Sequence, residues 1–187
     1  MKNLKISALA LITIITFSSC SSDDTATLVN EEEVISTVTA TFTPQGGGTP
    51  IVLTSRDLDG DGPDAPVVTV SGNFAAGAAY NGTVTFLNEL ETPAGNITEE
   101  VFEEGHEHQI FFTQAGLGTF AYADTDVNGN PIGLSFTYTA TPNTATGNLT
   151  IRLIHEANKD AEGVSQGIIT NAGGSTDAEV VFNLSVE

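Results

Sequence analysis

Apolar residues alternate with polar ones along most of the chain, in short runs with a period of two. Val34, Ser36, Val38, Ala40 and Phe42 share one face of the first run, which the turn residues at 44–48 close. Further runs at 51–55, 67–71, 80–90, 106–113, 118–123, 132–140, 148–156 and 178–186 are bounded by Gly, Pro and Asn. The stretch 93–104 departs from this pattern. There Asn96 is placed to cap a short helix through Ile97, Val101 and Phe102, with Glu99 and Glu100 in the first turn where the helix dipole favours acids. Residues 157–176 read as a long polar, Gly-rich connection, and no repeat of solenoid length is visible. Short strands at this spacing predict an all-β domain, an antiparallel β-sandwich or barrel of about eight to nine strands with one short helix.

Antiparallel neighbours place alternate connections at opposite ends. One end then collects 44–48, 75–79, 115–116 and 142–146, which are small and uncharged. The other collects 57–64, 99–108, 124–130 and 155–160, and with them the histidines and most clustered carboxylates. His106 and His108 lie in phase with Ile110 and Phe112, and His155 in phase with Leu149, Ile151 and Leu153. Imidazole suits zinc, copper or nickel, so His106, His108 and His155 form a candidate transition-metal set, with Glu103, Glu104 and Glu107 as neighbouring acids. The plainer alternative is a strand that begins with His-Glu-His at a wet rim.

Two loops at the same end carry calcium-type spacing. Asp57, Asp59, Asp61 and Asp64 surround Gly60 and Gly62 in D-x-D-x-D-G order, which wraps alternate oxygens around a hard cation as EF-hand and dockerin loops do. The twelfth position, where a bidentate glutamate closes such a loop, is Val68. Asp124, Asp126 and Asn128 repeat the spacing more weakly, because the twelfth position is Ser135 and Asn128-Gly129 also makes a ready hairpin turn. Without a cation, both loops read as aspartates bonded to their own backbone.

The sequence offers little to catalysis. Gly163-Val164-Ser165-Gln166-Gly167 matches G-x-S-x-G, but a nucleophile elbow needs a strand before it, a helix after it and a parallel sheet around it. No phosphate-binding glycine loop opens a helix, and the reading is of a non-enzymatic chain with no catalytic residue and no organic cofactor.

The N-terminal segment changes the address rather than the fold. Lys2 and Lys5 precede a mostly apolar stretch at 6–17, and Ser18 and Ser19 lead to Cys20, the only cysteine. This arrangement predicts a signal peptide over 1–19, too short to span a membrane, followed by an acylated flexible tether over 20–33 and one β domain over 34–187. The Ser-Ser-Cys junction resembles a bacterial lipobox, with Phe17 where such motifs usually carry Leu. Removal of 1–19 leaves Arg56, Arg152 and Lys159, three positive charges against 24 acids, a net of −21. Such a surface excludes nucleic acid as a partner and favours cations or basic partners.

Taken together, Cys20-Ser21-Ser22-Asp23-Asp24, Leu58-Asp59-Gly60-Asp61-Gly62-Pro63, Glu107-His108-Gln109, Arg152-Leu153-Ile154-His155-Glu156 and Asn171-Ala172-Gly173-Gly174 resemble a group of small Bacteroidota lipoproteins. Its members often carry the label "type 1 periplasmic binding fold superfamily". That label implies two Rossmann-like α/β lobes, and neither the length nor the helical content of this chain fits them. The resemblance implies an outer-membrane lipoprotein, facing the periplasm or the cell surface and joined to the membrane only through its lipid. The expected function is a binding module, for a divalent metal or as an accessory to an outer-membrane transporter. The alternative is a structural or adhesive surface domain in which Ca2+ only stiffens loops.

Overall fold

A computed structural model describes residues 33–60 and 62–187. The expected signal peptide, Cys20, the tether up to residue 32, and Asp61 lie outside the described residues. The strands are β1 (Thr37–Pro44), β2 (Ile51–Arg56), β3 (Val67–Val70), β4 (Ala79–Leu87), β5 (His108–Gln114), β6 (Gly118–Tyr122), β7 (Ser135–Ala140), β8 (Ala145–His155) and β9 (Ser175–Val186). They form two antiparallel sheets, one ordered β3-β2-β1-β4-β7-β6 and the other β5-β8-β9. The architecture is therefore a sandwich, and its sheets do not close into a barrel.

Period-two patterning builds it directly. Along β4, Tyr80, Gly82, Val84 and Phe86 are buried while Asn81, Thr83 and Thr85 face solvent. The inward rows of both sheets meet in one core that includes Phe42, Leu53, Phe86, Ile110, Phe136, Ile151 and Phe182. Phe42 packs edge-to-face against Phe74, Phe136 and Tyr138, the geometry that ring quadrupoles prefer. Each such buried ring contributes roughly 1.5–3 kcal/mol of transfer free energy.

The smaller sheet is covered on both faces. Phe111 and Ile154 point away from the main core, and Ala157, Val164 and Ala172 bury them from the outside. The long connection is thus a lid of short 3-10 turns at Val164–Gln166 and Ile169–Asn171, tied down by its few apolar residues. The one α-helix among the described residues, α1 (Ile97–Glu103), buries Ile97 and Val101. Asn96 does occupy its N-cap position, but the side chain makes no capping bond.

Several boundaries differ from the sequence pattern, and three of them have a clear local reason. The strand expected from residue 106 begins at His108, because helical-type turns continue past α1: Gly105 N–H donates to Phe102 O and Glu107 N–H to Glu104 O. Residues 132–134 leave β7 and cross between the sheets. There Ile110 N–H of the smaller sheet donates to Ile132 O, and Val84 N–H of the larger sheet to Leu134 O. Finally, β9 starts at Ser175 rather than 178, because a register shift lies at its head. Leu153 pairs with Ala178 and Ile154 with Thr176, so Asp177 is an extra residue with no opposite number. Such a bulge breaks the in–out alternation and re-aims one side chain.

Gly174 makes the approach to this bulge sterically feasible. Its φ is +69°, and a Cβ there would stand 2.1 Å from the carbonyl oxygen of His155. Gly174→Ala is therefore expected to destabilise the domain by more than about 1 kcal/mol, because a left-handed φ and a backbone clash add. Urea unfolding of the variant beside wild type checks this; equal midpoints would show that the β8–β9 return does not need the glycine.

Candidate metal centre

His108 opens β5 and His155 closes β8, and the antiparallel register sets them directly opposite each other. Each ends an inward apolar row, so the two imidazoles meet at the rim of the core. Their rings stack with centroids 4.6 Å apart and planes 21° from parallel. His108 is fully buried and His155 is 5 % exposed. The bulge brings Asp177 of β9 alongside, its side chain 6 % exposed. Glu33, four residues before β1, enters from the side of the larger sheet, its side chain 11 % exposed.

The hydrogen bonds assign each ring nitrogen a role. His108 Nδ1 lies 3.2 Å from the carbonyl oxygen of Glu104, so it carries the proton and donates it. Burial, the largest influence, lowers the His108 pKa and keeps the ring neutral. Its Nε2 is then a lone pair, and it faces Glu33 Oε1 at 3.4 Å and Asp177 Oδ2 at 3.7 Å. His108 Nε2 and Glu33 Oε2 are buried without a hydrogen-bond partner. Acceptors therefore face acceptors. A proton, a bridging hydrogen-bond donor or a metal ion between them reconciles that arrangement. The carboxyl of Glu33 registers the conflict: burial first, then the charges of Asp177, Glu100 and Glu104, push its pKa up to about 7.

His155 completes the set. Its Nδ1 lies 4.0 Å from Asp177 Oδ1, and its Nε2 lies 3.4 Å from Glu107 Oε2. A carboxylate behind a ligating imidazole fixes its tautomer and raises its basicity. One ligand atom from each of His108, His155 and Asp177 falls within 4.8 Å of the others, and a second such group joins Glu33, Glu104 and His108. Two imidazoles with two or three carboxylates suit a divalent transition ion such as zinc.

Of the sequence candidates, His108 and His155 are thus brought together and His106 is not. His106 lies in the turn before β5, its side chain 47 % exposed, paired with Glu107 Oε1 at 3.2 Å. The i,i+2 argument fails there because residues 104–107 are not strand. Asp177 and Glu33 were not anticipated. The only trace of Asp177 was an acid at the foot of a strand next to His155, and Glu33 lay in what reads as tether.

The calcium-type loops come out differently from their spacing. In the second, Asp124 accepts from the amides of Gly133 and Ser135, and Asp126 Oδ1 from those of Asn128 and Asn130. Asp126 Oδ2 accepts from Lys159 Nζ, which also donates to Gly105 O and Pro131 O. A buried ammonium thus stands where the spacing puts a cation, and Asn128 serves only as a turn residue. Burial alone would raise the Asp126 pKa, but Lys159 and the two amides outweigh it and hold the carboxylate low. In the first loop, Asp57 Oδ1 accepts from the amides of Asp59 and Gly60, and Asp59 Oδ2 from that of Asp64. Among the described residues, its carboxylates do not form a group of three within metal-sharing distance. Asp57 instead lines, with Ile35, Ser36, Val38 and Asp177, a groove of about 200 Å3. In the G-x-S-x-G stretch, Ser165 Oγ donates to Lys159 O, so its hydroxyl only ties down the connection.

The chain matches no family model, no curated protein and no solved structure.

Two stability measurements follow from these charges. Lys159→Ala should cost about 3 kcal/mol, because it strands Asp126, whose side chain is 1 % exposed. A loss below about 0.5 kcal/mol would mean that water replaces the ammonium. Glu33 behaves oppositely with pH. Its folded pKa of about 7 exceeds its ordinary 4.5, so in metal-free protein the contribution of Glu33 to stability is fully present below pH 4.5 and is lost as pH rises through 7. In chelator, Glu33→Gln should therefore be more stable than wild type above pH 7, with the advantage gone below pH 4.5. Unfolding series across pH would show the reverse trend if Glu33 were instead stabilised as a carboxylate.

Proposed function

We propose that this protein is a cell-envelope lipoprotein whose β domain is a non-enzymatic binding module for a divalent transition ion, zinc foremost. The observation that carries the metal reading is the buried His108 Nε2 lone pair confronting two carboxylates, with His155 stacked beside it. His108 Nε2, His155 Nδ1, Asp177 and Glu33 would hold the ion, and the Glu104 carbonyl and the Glu107 carboxylate would orient the two rings. Attachment at Cys20 rests on the small-residue junction after the apolar N-terminal stretch. A tethered acidic domain with a rim-side ion site suits a part that supplies or receives metal for an outer-membrane transporter. The competing reading, a structural or adhesive domain with Ca2+ stiffening the loop at 57–64, rests on that loop's spacing alone.

Zinc titration against a chromophoric chelator tests the reading. Wild type is expected to take up one ion per chain, and His108→Ala and Asp177→Asn each to lose roughly 100-fold or more in affinity. His106→Ala should bind like wild type within about threefold, because its ring does not reach the site. At free zinc 100 times Kd, folding stability should rise by about 2.7 kcal/mol. Binding that survives loss of both His108 and Asp177 would move the ion elsewhere. Stabilisation by calcium alone would favour the structural reading.

A further inference from the structure

The two ligand groups at this centre share one member. His108, His155 and Asp177 form an inner set, of which both histidines are buried and Asp177 nearly so; Glu33, Glu104 and His108 form an outer set that reaches solvent through the exposed Glu104. Glu33 lies between them, its Oε1 3.4 Å from the same His108 Nε2 that faces Asp177. Since one imidazole nitrogen cannot serve two ions at once, the sets are alternative positions for a single ion.

We propose that they are successive stations: an ion is captured at Glu104 and Glu33, pivots on His108, and settles between His108, His155 and Asp177 with Glu33 still beside it, leaving by the same route. This rests on the metal reading above and adds the path of exchange. The chemistry favours that direction of travel. The outer station is the more exposed and oxygen-rich, so it exchanges water and hard ligands readily, while the inner station adds a second imidazole that a zinc-like ion prefers. Each transfer replaces one carboxylate by another ligand without freeing the ion, so no fully dehydrated intermediate has to form. Glu104 has two separate parts in this scheme. Its backbone carbonyl fixes the His108 ring, and its side chain receives the ion. Substitution of the side chain leaves the first part intact.

Stopped-flow measurement of zinc uptake, and of release to excess chelator, tests the path on Glu104→Gln, with Glu103→Gln as a variant of equal charge on the same helix. Glu104→Gln is expected to slow both rates about tenfold while Kd changes by less than about threefold, and Glu103→Gln to behave as wild type. Equal slowing in both variants would indicate general charge steering and overturn the station. A weaker Kd without slower uptake would make Glu104 a ligand of the final site, and unchanged rates would remove it from the path; either overturns the proposal. Two zinc ions per chain would overturn it too, by filling both sets together. Failure of wild type to bind zinc at all would instead overturn the underlying metal reading.

Discussion

A lone pair that faces carboxylates inside a protein is tolerable only if a proton, another hydrogen-bond donor or a cation comes between them, and the rim of this sandwich is organised around that condition. The strands supply it by ordinary means. Two apolar rows, one ending in His108 and the other in His155, are laid side by side by antiparallel register, and a bulge adds Asp177. Glu33 closes the arrangement from the opposite sheet. None of the four is near another in sequence except through the fold.

The same molecule meets the condition a second way a short distance along its chain. At Asp126 the balancing charge is Lys159, a covalently attached ammonium with three acceptors around it. Of the described arginines, Arg56 and Arg152 are committed elsewhere, to Glu89 and Glu179. Glu89 shows what commitment to an arginine does: the hydrogen bonds from Arg56 and Thr37 hold its pKa down at about 2. Glu33, buried beside Asp177 and Glu100, moves the other way. One acidic chain thus contains a carboxylate held low by an arginine and another pushed up by burial among like charges.

How much of this was legible in the sequence depended on whether local periodicity survived into the fold. The strand runs did, and so the sandwich, the helix at Ile97 and the inward phase of His108 and His155 could be read from spacing. His106 could not be separated from His108, since nothing in Gly105-His106-Glu107 announces that the turns after α1 persist for two more residues. Asp177 was hidden by the bulge, which alters side-chain direction without altering composition. The aspartate loops are ambiguous for a complementary reason. D-x-D spacing serves cation binding and backbone capping alike, and Lys159, 33 residues from Asp126, decides between them only in three dimensions.

The crossing segment at 132–134 has a mechanical consequence. It fastens the sheets along one side, through Ile132 to β5 and Leu134 to β4, and Tyr122 reinforces that side by donating to Ile110 O. On the opposite side the fastening is at the far end, where Phe74 and the tail of β9 exchange backbone bonds. The corner that holds Glu33 and Asp177 is joined by side chains instead. The domain therefore resembles a book with a sewn spine, and an ion bound at that corner would act as a clasp between its two covers.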